Sequence, residues 1–249
     1  MSTDRYARHL ALAGFGPAEQ ARLRDATALV IGAGGLGSPA LLYLAAAGIG
    51  RLVVSDFDTV DITNLQRQVL FDTDDVGRPK AEAAVARLQA LNPDTESRPV
   101  NARLAGEDLA AAVAAADVVL DCCDNFATRF AVNAACVAAR KPLVSGAAIR
   151  FEGQLAVFRA DHTGAPCYRC LWEEDAEGLE NCRGNGILGP VTGVIGSMMA
   201  VEALKIASHC APSAAGRLML YDAREGSWRS LRLERDPGCP VCGAGAGAD

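Results

Sequence analysis

Four of the nine cysteines fall into two Cys-x-x-Cys pairs, a spacing that is typical of metal-binding knuckles. The pairs are Cys167 with Cys170 and Cys239 with Cys242. Four thiolates grouped in this way form the tetrahedral ligand set of a structural Zn²⁺ site. The alternative is a redox dithiol, but that motif normally lies at a strand–helix junction, whereas Cys239 follows Asp-Pro-Gly. The spacing therefore predicts one zinc ion held by both pairs.

A glycine-rich segment between two predicted strands has the composition of a nucleotide site. Asp56 and Asp58 follow at the end of the second strand. Glycines let the backbone approach a phosphate closely, and the next helix offers free N–H groups at its N-terminus. An acidic residue after the second strand can accept a hydrogen bond from a ribose hydroxyl. Such a unit occurs most often in dehydrogenases, so an NAD-dependent oxidoreductase is one interpretation of the sequence. The glycines are Gly32, Gly34, Gly35 and Gly37.

Two cationic side chains after Asp56 favour a triphosphate instead. Arg67 and Lys80 flank the polar segment that follows this residue. A guanidinium can bind a phosphate through two hydrogen bonds, and a lysine supplies a mobile point charge. Each cation alone could equally be a solvated surface charge. Together, near one nucleotide, they would neutralise a triphosphate rather than a nicotinamide dinucleotide.

Asp121 and Asp124 lie at the C-terminal end of another predicted strand. Ligands of open α/β sheets bind at this edge, and a carboxylate there suits Mg²⁺, which also contacts substrate phosphates. The alternative role is helix capping by Asp124 or Asn125, and both roles can coexist in one segment.

The remaining cysteines divide into one reactive candidate and a group of buried candidates. Cys182 lies in a polar loop beside Arg183, whose charge favours the nucleophilic thiolate, although a spectator role is the alternative. The others lie in apolar or helical segments and are predicted to be small core residues. They are Cys122, Cys123, Cys136 and Cys210.

Alternating strands and helices must position these groups. The alternation through residues 1–150 predicts a doubly wound, mostly parallel sheet. Two strands at 217–221 and 227–233 read as an antiparallel extension, and an apolar helix at 190–207 contains Gly193 and Gly196, which allow close packing. We predict a single α/β domain over 1–249, with a nucleotide-binding half at 1–150, a zinc-containing half at 151–243 and a disordered tail at 244–249.

Composition narrows the class of partner. The chain has 249 residues, half of them apolar, and a net charge of −6. An acidic chain is a poor candidate for wrapping nucleic acid, because phosphate neutralisation dominates that binding. No apolar run approaches the ~20 residues of a membrane span, and residues 1–8 lack the apolar core of a secretory signal. We expect a cytoplasmic protein that binds neither nucleic acid nor membrane.

Together these motifs resemble the E1-like adenylyltransferases of the ThiF/MoeB/HesA family, which activate ubiquitin-like sulfur carriers. The resemblance covers nearly the whole chain, from Arg5-Tyr6-Ala7-Arg8 to the last Cys-x-x-Cys pair. It is carried by Gly32-x-Gly34-Gly35-Leu36-Gly37, Asp56-Phe57-Asp58, Asn64-Leu65-Gln66-Arg67-Gln68, Gly77-Arg78-Pro79-Lys80, Asp124-Asn125 and Cys167-Tyr168-Arg169-Cys170.

The resemblance implies a Rossmann-like fold and a homodimer that binds ATP with Mg²⁺. The implied reaction is adenylation of the C-terminal Gly-Gly of a ThiS- or MoaD-like carrier, for sulfur transfer in thiamine or molybdopterin biosynthesis. The half at 151–243 would bind the carrier, and a sulfurtransferase or cysteine desulfurase would be a further partner. A carrier carboxylate with a pKa of about 3.5 is already ionised at pH 7 and needs no general base.

The resemblance also implies roles for individual residues. Asp56 would bind the ribose, Asp124 the magnesium, and Arg8 would reach into the neighbouring subunit's site. Cys182 falls where some members carry a cysteine that becomes linked to the carrier. The rest of the implied nucleotide site consists of Gly32, Gly34, Gly35, Gly37, Asp58, Asn64, Gln66, Arg67, Lys80 and Asn125.

The pathway stays open at this stage. Val144–Arg150 looks like the molybdopterin-synthase activator, whereas Cys170-Leu171-Trp172 and Asn181-Cys182-Arg183 look like the thiamine-pathway enzyme. A non-catalytic nucleotide-binding scaffold is a third interpretation, and it predicts ATP binding without pyrophosphate exchange.

Overall fold

The computed structural model describes residues 5–173 and 185–243, and its centre is one eight-stranded sheet. The strand order is β3-β2-β1-β4-β5-β6-β7-β8. Pairs from β3 to β5 are parallel, and pairs from β5 to β8 are antiparallel. This is the predicted doubly wound sheet with its antiparallel extension. The strands are β1 (Thr27–Ile31), β2 (Arg51–Ser55), β3 (Glu96–Val100), β4 (Val118–Asp121), β5 (Pro142–Ile149), β6 (Glu152–Arg159), β7 (Arg217–Asp222) and β8 (Ser227–Arg232).

Helices connect the parallel strands and continue beyond them. Their boundaries follow from local chemistry: α2 begins at a proline, and α3 ends at Gly48, whose left-handed conformation suits a glycine. The helices are α1 (Ala7–Leu10), α2 (Pro17–Asp25), α3 (Gly37–Ala47), α4 (Lys80–Leu91), α5 (Gly106–Ala114), α6 (Phe126–Ala138) and α7 (Gly189–Ser208). Short 3₁₀ turns occur at Ile62–Asn64, Thr73–Asp75 and Tyr168–Cys170. The predicted helix 190–207 is confirmed as α7.

Two hydrophobic clusters cover the two faces of the parallel strands. One joins residues of α3, α4 and α7, and the other joins residues of α5 and α6. Because both faces are covered, β1 and β4 are buried at every residue. This packing fixes the carboxyl ends of the parallel strands, where the predicted chemical groups lie.

Helix α7 packs closely against α3. A Cβ atom at Gly196 would overlap the carbonyl oxygen of Leu36, so the close approach needs a glycine there. A Cβ at Gly193 would meet no atom within 4 Å, so the expectation that Gly193 serves close packing is wrong for the described residues. By length and composition alone α7 could cross a membrane, but most of it is buried inside the fold, as in a core helix.

Candidate active site

A cleft of about 640 Å³ lies along the carboxyl edge of the parallel strands. Its walls come from the loops after β1, β2 and β4, and from the ends of β5 to β8 at the same edge. This is where open α/β sheets bind ligands. Of the sequence-predicted residues, the cleft is lined by Gly32, Gly34, Gly35, Asp56, Asp58, Arg67, Lys80, Asp124 and Asn125.

The glycine turn between β1 and α3 has two kinds of glycine. Gly32 has a φ of +95°, and a Cβ there would lie 2.9 Å from the Cys122 carbonyl oxygen. A Cβ at Gly37 would overlap the carbonyl oxygen of Gly32, and Gly37 does not line the cleft. Gly37 therefore closes the turn, whereas Gly34 and Gly35 leave their backbone facing the cleft.

Asp56 connects the end of β2 to this turn. Its buried carboxylate accepts hydrogen bonds from the N–H groups of Ala33 at 2.8 Å and Asp58 at 2.9 Å. Burial raises the pKa of the Asp56 carboxyl, and the two backbone donors oppose that rise. The carboxylate is thus held in one orientation at the cleft wall, with lone pairs left for a ligand hydroxyl.

Lys80 and Arg67 bring positive charge to the same wall. Lys80 is the first residue of α4, and its Nζ lies 3.3 Å from an Asp58 carboxylate oxygen. The Lys80 side chain is 7% exposed and that of Asp58 44%, so the pair sits at the boundary between core and cleft. Arg67 donates a hydrogen bond to the Thr63 carbonyl oxygen at 3.1 Å. The structure therefore brings the predicted cations to the acidic strand end.

The segment between Asp58 and Lys80 contains the largest departures from the predicted site. Asn64 and Gln66 do not line the cleft. The Asn64 side-chain oxygen accepts a hydrogen bond from the Asp61 N–H at 3.3 Å, and Gln66 lies against the start of α7 at Gly189. Both residues are placed to shape the loop.

Sequence reasoning missed Gln68, which is buried and lines the cleft. Its Nε2 lies beside Gly34, and its Oε1 has no hydrogen-bond partner among the described residues. Its N–H bonds to the Asn64 carbonyl at 3.0 Å, the spacing of a helical turn. No local spacing in this polar segment singles out Gln68, because its position depends on the tight turns that begin at Asp61.

Arg8 lies away from the cleft. It is exposed on α1, next to Tyr6, which packs against Gly48 and accepts a hydrogen bond from Asn92 at 2.9 Å. Gly48 follows the C-terminus of the 11-residue α3, a length of about 16 Å from the glycine turn. Arg8 does not line the cleft in the described part of the chain.

In the loop after β4, the two predicted roles, helix capping and metal binding, belong to two different residues. Asn125 caps α6, because its side-chain oxygen accepts the Thr128 N–H at 2.9 Å. Asp124 is exposed and lines the cleft, so its carboxylate is available to a cation. The capping alternative therefore applies to Asn125.

Asp121 and Arg129 form a buried ion pair beneath this loop. Asp121 accepts the Cys123 N–H at 3.1 Å and the Ser145 hydroxyl at 2.8 Å. Arg129 donates to the carbonyl oxygens of Cys123 at 2.6 Å and Gly146 at 2.9 Å. The pair holds both sides of Cys123, which directly precedes Asp124. Asp121 is thus a support for the loop.

The apolar cysteines behave as buried thiols. Cys122 and Cys136 are buried, Cys123 lies beside Asp121, and Cys210 is partly exposed. Burial, reinforced by the Asp121 charge, raises the pKa of the first three thiols, that of Cys136 to about 12. The prediction of small core residues holds for Cys122 and Cys136 and is wrong for Cys123 and Cys210, which are only partly buried. Cys182 and the tail at 244–249 lie outside the described residues.

The two Cys-x-x-Cys pairs meet at one point. Their sulfur atoms all lie within 4.8 Å of one another, and none of the four forms a disulfide. The Sγ separations are 3.7 Å for Cys167–Cys239, 3.4 Å for Cys170–Cys242 and 4.0 Å for Cys167–Cys170. Tetrahedral zinc with Zn–S bonds of about 2.3 Å requires about 3.8 Å. The four thiols therefore have the geometry of a metal site.

A comparison with protein families shows that these features belong to one known family. A model of the ThiF family matches residues 6–241. The chain belongs to the ThiF family. This membership favours nucleotidyl transfer over the hydride-transfer interpretation.

Two relatives from Escherichia coli (strain K12) match this family member over almost their full length. The sulfur carrier protein ThiS adenylyltransferase is 50% identical over 245 residues, which cover 98% of this chain and 96% of the relative. The molybdopterin-synthase adenylyltransferase is 48% identical over 239 residues, which cover 96% of both chains. The nearly equal identities match the mixed motifs of the sequence.

A solved structure supports the fold. The crystal structure of E. coli MccB with succinimide has a TM-score of 0.85 and covers 98% of this chain and 74% of its own. Its sequence identity is 24%, so the likeness concerns the fold alone.

Proposed function

We propose that this chain is an ATP-dependent adenylyltransferase that activates the C-terminal glycine of a ubiquitin-like sulfur carrier. One observation carries the proposal: a glycine turn, two cations and an exposed carboxylate line a single cleft in a member of the ThiF family. The relatives named for ThiS and for molybdopterin synthase supply the substrate class.

The nucleotide end of the cleft is proposed to hold ATP. Asp56 is oriented to accept a ribose hydroxyl, and Gly34 and Gly35 expose backbone at the turn where phosphates would lie. Arg67 and Lys80 supply the positive charge that a triphosphate requires. Gly32, Gly37, Asn64, Gln66 and Asn125 would keep the surrounding loops in shape.

Asp124 is proposed to hold Mg²⁺. Its exposed carboxylate fits a cation that binds through few protein ligands plus substrate phosphates. The ion would supply charge neutralisation at the phosphates. The protein's part is to fix the carboxylate, which the buried pair of Asp121 and Arg129 does through Cys123.

The residues fit a reaction that needs alignment rather than proton transfer. The ionised carrier carboxylate attacks the α-phosphorus, a carboxyl O–P bond forms, and the bond to the β-phosphate oxygen breaks to release pyrophosphate. No proton moves, because the nucleophile carries its charge at pH 7. Lys80 and Arg67 would stabilise the charge that develops on the phosphates.

We extend the proposal to zinc at the four cysteines and to a homodimer. The sulfur separations support zinc. The position of Arg8 supports a role in a neighbouring subunit, and Val201 on α7 is an exposed apolar side chain that a second subunit would cover. Mixing Arg8→Ala and Lys80→Met proteins should restore one working site per mixed dimer. No restoration would contradict action across subunits.

A cytoplasmic location and a separate sulfur donor complete the proposal. A sulfurtransferase or cysteine desulfurase would consume the activated carrier, since adenylation alone adds no sulfur. A possible link between Cys182 and the carrier stays a prediction from the resemblance.

The test is exchange of labelled pyrophosphate into ATP. We expect exchange with Mg²⁺ and a Gly-Gly-ended carrier, measured separately with a thiamine-type and a molybdopterin-type carrier. A carrier lacking its last glycine is the matched control and should give none. ATP binding without exchange for either carrier would contradict the enzyme and support the scaffold interpretation. Thermal protection by NAD but not by ATP with Mg²⁺ would support the oxidoreductase.

A further inference from the structure

The cysteine-containing turn carries two buried hydrogen-bond donors in the wall of the cleft. Tyr168 and Trp172 both line it, and both belong to the segment that begins at Cys167. Tyr168 is 2% exposed, and its hydroxyl lies beside the Arg129 guanidinium, which can donate to the phenol oxygen but cannot accept its proton. Neither that O–H nor the indole Nε1 of Trp172 has an acceptor among the described residues. Burying an unpaired polar group is unfavourable, so these atoms point to an acceptor supplied by a ligand.

The turn is held rigidly by its neighbours. The Tyr168 N–H donates to Asn133 at 2.8 Å, and the Asn133 amide donates to the Cys167 sulfur at 3.6 Å. The Tyr168 ring packs edge-on against Phe130, with centroids 5.4 Å apart. Trp172 packs edge-on against Phe126 at 6.2 Å. The donors are therefore oriented before any ligand arrives.

The cleft is longer than a nucleotide needs. It runs from β2 to β8, six strand intervals or about 29 Å. Asp56 and Lys80 lie toward the β2 end, whereas Tyr168 packs on Phe158 of β6. A second, elongated ligand therefore has room beyond the proposed ATP position.

The chemistry of the two donors selects the acceptor. Both donors are neutral and are set among aromatic rings. The Arg129 guanidinium beside the Tyr168 hydroxyl is paired with the buried Asp121 carboxylate, so it adds no net charge to this part of the wall. Neutral donors in an apolar wall suit neutral acceptors such as peptide carbonyl oxygens, whereas phosphates favour Arg and Lys. An extended peptide with small side chains presents such carbonyls close to the wall.

We infer that the Tyr168 hydroxyl and the Trp172 indole N–H donate hydrogen bonds to backbone carbonyl oxygens of the carrier's C-terminal peptide. The inference rests on the proposed function and adds to it: the metal-binding turn positions the protein substrate as well as stabilising the fold.

The test uses Tyr168→Phe and Trp172→Phe in the full-length, zinc-loaded protein. Each variant removes a donor and keeps an aromatic ring. We expect the KM for the carrier in pyrophosphate exchange to rise about fivefold in each variant, the loss of one neutral hydrogen bond. The KM for ATP, the zinc content and the Tm should stay at parental values. Tyr43→Phe removes the hydroxyl of an exposed tyrosine outside the cleft and is the matched control.

Several outcomes would overturn the inference. An unchanged carrier KM in both variants would show that the donors do not contact the carrier. A rise confined to the KM for ATP would assign them to the nucleotide. Loss of zinc or a lower Tm at unchanged carrier KM would make their role structural. A parent protein that exchanges no pyrophosphate with either carrier would instead overturn the proposed function, and this inference with it.

Discussion

The two ends of the cleft are built by different means. At the β2 end, charged side chains project from loops anchored in strands such as β1, which is buried at every residue. At the other end, the wall includes β8, which is exposed at every residue, and a turn held by four clustered thiols. Two covering layers of helices position the first end, whereas a cluster of four cysteines and aromatic contacts position the second.

The difference between the two ends predicts that substitutions can change the enzymatic activity and the folding stability separately. Residues at the β2 end are fixed by backbone hydrogen bonds, so their functional atoms can be changed with little loss of packing. Residues at the other end depend on one four-cysteine cluster that joins segments 72 residues apart in sequence. A change there should act on stability first.

Removing a zinc ligand should give the largest loss of stability. We expect Cys239→Ser to lose its metal and several kcal/mol of folding free energy, because metal binding is coupled to folding of the turn. Zinc content and thermal unfolding measure this. Cys210→Ser, outside the cluster, is the control and should keep both. A zinc-free Cys239→Ser protein that melts at the parental temperature would contradict a structural metal.

Lys80→Met should instead cause a large loss of activity in a protein that keeps its folding stability. We expect pyrophosphate exchange to fall by about 10²- to 10³-fold, the effect of removing one charge-stabilising donor. Methionine keeps the buried apolar stem, so the Tm should change little. Arg78→Met removes a cation of the preceding turn, which pairs with Asp75 outside the cleft, and should keep exchange. Equal activity of the two variants would remove Lys80 from the site.

Substitutions in helix α7 should have an effect of intermediate size. Gly196→Ala should cost about 1–3 kcal/mol in denaturant unfolding, because its Cβ would overlap the Leu36 carbonyl. Gly193→Ala, one turn away, should stabilise by up to about 1 kcal/mol, since alanine is the better helix former and its Cβ meets nothing. Equal effects at both positions would show that α7 does not approach α3 as described.

The smallest change is expected at the cap of α6. Asn125→Ala should cost about 1 kcal/mol of unfolding free energy, because the Thr128 N–H loses its acceptor. Asn125→Asp keeps an acceptor and should retain the stability. If the alanine variant is as stable as the aspartate variant, the cap is not contributing.

The sequence was most informative where the determinants are local. The glycine turn and Asp56 lie within one strand–helix–strand unit, and the hydrogen bond from Ala33 to Asp56 follows from that unit's geometry. Likewise, Asn125 directly precedes the helix that it caps. Pattern and spacing were enough in these cases.

Features that depend on distant contacts could not be predicted in the same way. Gln68 reaches the cleft because residues 61–68 fold as tight turns, which no period in the segment indicates. Tyr168 and Trp172 acquire their positions from Asn133 and Phe126 on a helix far earlier in the chain. Which glycine of α7 meets α3 depends on the crossing point of the two helices, and composition does not specify it.

The thiols near Asp121 have a consequence for how the protein tolerates oxidants and alkylating reagents. The thiolate is the form that both attack, and burial keeps Cys122, Cys123 and Cys136 protonated at neutral pH. An enzyme proposed to work beside activated sulfur therefore carries three cysteines near Asp121 in an unreactive, protonated form. Iodoacetamide labelling of the folded protein at pH 7 should leave these three unmodified, while unfolding should make them reactive.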